Sequence, residues 1–172
     1  MTIFTIGHST RALDDFIALL RVHAVAQVAD VRTVPRSRRY PHFSREALSV
    51  SLPAAGIGYR HFGELGGLRK PRADSSNTAW RHPGFRGYAD YMETPAFAQA
   101  LDSLVRWSTE AASAVMCAEA VWWQCHRRLI ADALVARGLD VRHITTLSSA
   151  APHELTEFAR VEGGLVRYPG LL

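Results

Sequence analysis

Apolar and polar positions along the chain switch between a period of about two and a period of about 3.6. Thr2 to Ile6 is a short β-prone run that stops at Gly7-His8-Ser9-Thr10. Leu13, Phe16, Ile17 and Leu20 then recur at helical spacing, with Asp14 and Asp15 in the first turn, where the helix dipole favours acids. Gln27 to Val31 is almost continuously apolar, as a strand covered on both faces should be. Ser44 caps a predicted helix that carries Leu48 and Leu52 and ends near Pro53 and Gly56. Ile57 to Phe62 predicts a third strand, and Gly63 to Gly84 a long irregular connection.

Order returns at Thr94-Pro95, a cap followed by proline at the first helical position, with Phe97, Leu101, Leu104 and Val105 as the buried stripe. Ala114 to Cys117 predicts a short buried strand. Leu129, Ile130, Ala133 and Leu134 stripe a helix that stops at Gly138, and Val141 to Thr145 is a fifth strand. The tail from Pro152 predicts a short helix and little else. Strands alternating with helices imply right-handed crossovers. The expected fold is therefore a three-layer α/β domain, a mainly parallel sheet of about five strands with helices on both faces. Length favours one domain over residues 1–172, its motifs within about 2–145 and an extension over about 150–172.

Composition changes this picture little: 48% hydrophobic and 21% charged residues exclude a disordered chain, a fibre and a disulfide miniprotein. No apolar run approaches the roughly 20 residues of a membrane helix. Met1-Thr2-Ile3-Phe4 lacks a signal-peptide pattern, so a cytoplasmic protein with reduced thiols and no membrane partner is expected. Charge changes it more. Eleven of the 20 cations but only three of the 16 acids fall between Arg32 and Arg86. A basic block on a mildly acidic body points to phosphates or nucleic acid as partners, and arginine's planar fork suits phosphate.

Ligands of open parallel sheets bind beyond the carboxyl ends of the strands. The expected strand ends carry His8; Asp30 and Arg32; Gly66-Gly67; Cys117 and Glu119; and then Cys125-His126-Arg127 at the next helix start. Cys125 is a candidate nucleophile, since a helix N-terminus beside His126 and Arg127 favours thiolate. Cys117 reads as a second candidate catalytic thiol or as a small buried hydrophobe. Glu119 and Asp30 are candidate acid–base groups, with Asp30 plausibly paired to Arg32, and His8 is a candidate orienter or proton relay. Arg32, Arg36, Arg38, Arg39 and Arg127 are candidate anion ligands, with Gly66 and Gly67 letting backbone amides approach a phosphate. Trp80, Tyr88, Tyr91, Trp122 and Trp123 would stack on bases if exposed, or belong to the core.

Cys117 and Cys125 are eight apart, outside the short zinc-ligand spacing, so a metal site from these two and His8 is a weaker alternative and no metal is assigned. A phosphatase loop is excluded, because Ala131 stands where its arginine would follow Cys125. No GxGxxG or Walker loop indicates a dinucleotide, and the cofactor is left open.

Five segments together, Thr5-Ile6-Gly7-His8-Ser9-Thr10, Asp30-Val31-Arg32-Thr33-Val34-Pro35-Arg36-Ser37, Leu65-Gly66-Gly67, Met116-Cys117-Ala118-Glu119 and Cys125-His126-Arg127-Arg128, resemble the family called domain of unknown function 488. The resemblance implies an α/β fold and supports the choice of rim residues without naming a reaction. The leading expectation is an enzyme acting on a phosphate-bearing substrate, a nucleotide or nucleic acid. The alternative is a non-catalytic nucleic-acid-binding module built on the same arginines.

Overall fold

A computed structural model describes residues 1–171. Its central sheet has six strands in the order β3-β2-β4-β1-β5-β6, namely β1 (Thr2–Gly7), β2 (Gln27–Asp30), β3 (Gly58–His61), β4 (Ser113–Cys117), β5 (Asp140–Thr146) and β6 (Ser149–Pro152). The first five in spatial order are parallel, and β6 turns back antiparallel on β5. Five α-helices cover the sheet: α1 (Leu13–Val22), α2 (Arg45–Ala54), α3 (Pro83–Met92), α4 (Pro95–Ser108) and α5 (Arg127–Ala136).

The side-chain alternation of the strands divides the core into two. Ala114 and Met116 of β4 face Phe16, Leu20, Leu48 and Leu52 of α1 and α2. Val115 and Cys117, one residue out of step, face Leu101, Leu104, Leu129 and Leu134 of α4 and α5. Central β4 is buried at all five positions, which is why it reads as an unbroken apolar run.

Local signals act where expected. Ser44 Oγ accepts the Ala47 amide at the start of α2, and Thr94 Oγ1 accepts the Phe97 amide at the start of α4. Gly56 (φ +78°) and Gly138 (φ +80°) end α2 and α5 in the left-handed conformation.

Two differences matter. The connection after β3 is not wholly irregular, because its end forms α3, with His82 as cap and Pro83 at its first position. The tail holds strands, not the expected helix. Beyond β6, β7 (Arg160–Glu162) and β8 (Leu165–Arg167) form a hairpin around Gly163 and Gly164, both at positive φ. The hairpin lays Val166 and Tyr168 into the α3–α5 side of the core.

Candidate active site

Strand order creates the site. β1 and β4 lie side by side, with Gly7 opposite Cys117. The helix after β1 covers one face of the sheet and the helix after β4 covers the other. The loops leaving these neighbours therefore part, and the gap between them is where α/β sheets bind ligands. A cleft of about 590 Å³ opens there, lined on one side by Ser9, Arg36, Ser37 and Tyr40 and on the other by Cys117, Glu119 and His126. A second hollow of about 470 Å³ shares Gly67, Leu68, Cys117, Glu119 and His126 with it and adds Cys125, Phe85 and Trp123. Ser9 (φ 52°) and Leu68 (φ 59°) both line the cleft in left-handed backbone, strain of a kind that concentrates at functional sites.

Cys117 ends β4. Cys125 follows the single 3-10 turn Trp122–Gln124, and His126 comes next, immediately before α5. Both cysteines are free and buried. His126 Nδ1 lies 3.7 Å from Cys125 Sγ and 4.0 Å from Cys117 Sγ, and the three donor atoms are all within 4.8 Å of one another. The other ring nitrogen settles the tautomer. Nε2 is 3.0 Å from the Val31 carbonyl, which only accepts, so Nε2 carries hydrogen. Nδ1 therefore faces the sulfurs, as acceptor from a thiol when the ring is neutral and as donor to a thiolate when it is charged.

The two neighbouring thiols are shifted in opposite directions. Hydrogen bonding from Cys117 holds Cys125 well below the ordinary thiol range, helped by His126 and Arg127 against the cost of burial. Cys117 is correspondingly pushed up, by its bond to Cys125 and by burial. The direction favours the thiolate at Cys125 over Cys117.

The other expected site residues separate into three groups. Glu119, exposed, lines both hollows, and Gly67 and Arg36 line the cleft. Arg38 and Arg39 are exposed but outside the lining, with Arg39 over the Tyr40 ring. Asp30, Arg32 and His8 form a buried hydrogen-bonded set, of which His8 and Arg32 also line the cleft. Asp30 accepts Arg32 Nη2 at 2.6 Å and Nε at 2.9 Å, and also the Tyr59 hydroxyl at 2.6 Å. Arg32 Nη1 donates to His8 Nε2 at 3.3 Å, while His8 Nδ1 donates to the Ser9 carbonyl. Asp30 is thus a satisfied ion-pair partner, and Arg32 spends its charge on it. Burial pushes His8 down to about 4, so the ring is neutral with both nitrogens occupied; it orients Arg32.

Arg127 and Gly66 are structural. Arg127, 1% exposed, directs Nη2 at the Glu119 carbonyl and Nη1 at Thr5 Oγ1, away from the cleft. A Cβ on Gly66 would stand 2.3 Å from Thr33 Oγ1, so this glycine serves close backbone packing. Of the aromatic candidates, Trp80 and Tyr88 are core and Trp122 stacks on His143 at 4.1 Å; half-exposed Trp123 faces the second hollow.

Arg127 also begins a buried relay that sequence patterns did not reveal. Its Nη1 donates to Thr5 Oγ1, whose hydroxyl reaches His143 Nδ1 at 2.6 Å. His143 Nε2 meets His153 Nδ1 at 2.9 Å, and His153 Nε2 meets Asp132 Oδ1 at 2.8 Å. With Nε2 of each imidazole as donor, every link is satisfied in one direction. A buried cation is thereby joined to a buried carboxylate. Asp132 hides inside the apolar stripe of α5, which is why only the three-dimensional arrangement exposes it.

Burial pushes His143 down to about 3, assisted by His153 and Arg127. An unfolded histidine titrates near 6.5. Acid therefore protonates the unfolded chain first, and the stability held above pH 6.5 is lost as pH falls. His8 and His143 should each cost about 2 kcal/mol between pH 7 and pH 5. Denaturant midpoints at the two pH values check this; equal midpoints would contradict buried neutral rings.

The fold and site define an α/β protein with a dithiol–imidazole centre at the switch point of a parallel sheet. A family model described as Domain of unknown function DUF488 matches residues 12–134, and the chain belongs to that family. No curated protein and no solved structure matches the chain. The matched span holds Cys117, Cys125, His126 and Asp132 but neither His8 nor the relay residues of β5 and the tail. Among the described residues no helix is long and apolar enough to cross a membrane.

Proposed function

We propose that the protein is an enzyme acting on a phosphate-bearing substrate, a nucleotide or a nucleic acid, bound across the cleft between β1 and β4. One observation carries the reading: a wall suited to anions and a reactive centre share one concavity. Ser9, Ser37 and Tyr40 offer hydroxyl donors beside Arg36 on one side, and Cys117, Glu119 and His126 stand on the other. Arg36 makes no ion pair with a carboxylate among the described residues, unlike Arg32, so its charge is free for a ligand. The substrate's phosphate sits against Arg36, and the bond to be broken lies toward the thiols, with Glu119 placed to move a proton.

Arg36→Ala should weaken binding of a nucleoside phosphate by roughly 10-fold, the size of a lost charge-assisted contact of about 1.5 kcal/mol. Isothermal titration with a nucleotide panel measures it. Unchanged affinity for every ligand that binds would place the anion elsewhere. The non-catalytic alternative draws on exposed Arg36, Arg38 and Arg39. It requires nucleic-acid affinity that falls steeply with salt and ignores substitution of Cys125 or Glu119.

A further inference from the structure

We propose that Cys117, Cys125 and His126 bind one zinc ion, with the fourth coordination position open to the cleft. The inference rests on reading this cleft as a reaction centre and names the ion that works there. Two sulfurs and one imidazole nitrogen are the donor set of a borderline-soft divalent metal, not of magnesium or calcium. His8, considered above as a third ligand, is occupied by Ser9 and Arg32, and His126 takes its place.

Two of the three donor separations are near those of a zinc site. Metal–sulfur and metal–nitrogen bonds of about 2.3 and 2.0–2.1 Å at tetrahedral angles put sulfur and nitrogen roughly 3.6 Å apart. The two sulfur–nitrogen separations are 3.7 and 4.0 Å. The Val31 carbonyl holds Nε2–H, which turns the Nδ1 lone pair toward the sulfurs; ligating histidines are held by an acceptor in this way. Gly67 keeps the approach clear, for a Cβ there would stand 3.2 Å from Nδ1.

Charge also fits. Both sulfurs coordinate as thiolates, releasing any thiol proton to solvent, so two thiolates balance the ion. Arg127, buried two residues from Cys125, contacts the centre through its amide, 3.5 Å from Cys125 Sγ, and its guanidinium contacts no carboxylate. The resulting neutral centre leaves its fourth position to water, hydroxide or a phosphate oxygen. Glu119 lines both hollows with the proposed ligands and is outside their cluster. A zinc-bound water there is a nucleophile near neutral pH, and a carboxylate alongside accepts its proton.

The test is elemental analysis and native mass spectrometry of the full chain, purified under reducing conditions without chelator. About one zinc per chain is expected, lost in Cys117→Ser and Cys125→Ser. Because a serine variant can fail to fold, cobalt is also added to the wild-type protein after zinc removal. Thiolate-to-cobalt charge-transfer absorption at one equivalent supports the site. Absence of zinc together with absence of that absorption overturns it. Turnover of a phosphate compound by metal-free protein likewise defeats the zinc centre while leaving the phosphate-directed enzyme standing. Stoichiometric zinc without turnover of any phosphate compound supports the centre and removes that substrate class.

Discussion

Asp132→Ala is expected to cost about 3–5 kcal/mol of stability, because it strips the anion from a buried charged network. Asp132 is fully buried, and three donors converge on it. Oδ1 accepts His153 Nε2 at 2.8 Å and the Thr156 amide at 2.9 Å, and Oδ2 accepts the Tyr168 hydroxyl at 2.8 Å. Removing the carboxylate orphans all three in a dry core and leaves Arg127 without its distant counter-charge. His153, Thr156 and Tyr168 belong to the tail, so the tail should loosen first, exposing the hairpin to protease before the sheet unfolds. At roughly 3 °C per kcal/mol for a chain of this size, the melting temperature drops by about 10 °C. Thermal unfolding followed by circular dichroism checks it; a drop of under about 2 °C would mean that the relay contributes little.

Gly7→Ala is the second large effect. A Cβ at Gly7 would lie 1.8 Å from the Glu119 carbonyl oxygen, 2.6 Å from its carbon and 2.8 Å from the Ala120 Cα. All three are backbone atoms, so no side chain can swing aside. The loop after β4 must lift off the end of β1, taking with it the carbonyl that Arg127 holds. Overpacking of this kind costs about 1–3 kcal/mol, and the lost arginine contact brings the expected total toward the upper end. The cleft changes with it, because Glu119 rides on that loop and Cys117 stands opposite Gly7. Denaturant unfolding and the alkylation rate of Cys125 should both shift. Wild-type values for both would show that the loop does not need the glycine.

The sheet was legible because its strands are apolar where buried and its helices announce their ends. β4 reads as a continuous run, Ser44 and Thr94 cap as their residue types predict, and Gly138 stops α5. α3 was hidden by composition, since Pro83 and Gly84 at its start read as loop and Gly87 interrupts its pattern. Gly87 is required because the chain at Arg69 and Lys70 passes too close for a Cβ. The tail misled for a different reason. Pro152 to Ala159 holds helix-compatible residues, but His153 and Thr156 are tied to Asp132, and those long-range bonds outweigh local preference. The hairpin carried a readable signal in Gly163-Gly164 between alternating Val161 and Val166.

Site residues divide along the same line. Chain position placed Cys117, Glu119 and His126 at the rim, since strand ends are local features. Which side chain spends its charge internally is a question of packing. That is why Arg32 and Arg127 read as anion ligands yet serve Asp30 and the Thr5–Asp132 relay. The same applies to His143 and His153, ordinary in sequence and joined only by the pairing of β5 with the tail.

The most direct trial of the dithiol–imidazole cleft as a reaction centre is a steady-state screen of phosphomonoesters, phosphodiesters, nucleotides and short oligonucleotides. Wild type is compared with Cys125→Ser and Glu119→Gln proteins whose circular dichroism and melting match it. At least one compound turned over by wild type, with kcat/KM falling by about 10³-fold or more without the Cys125 sulfur, is the expected result. A substrate processed equally well by the serine and glutamine proteins would contradict the assignment.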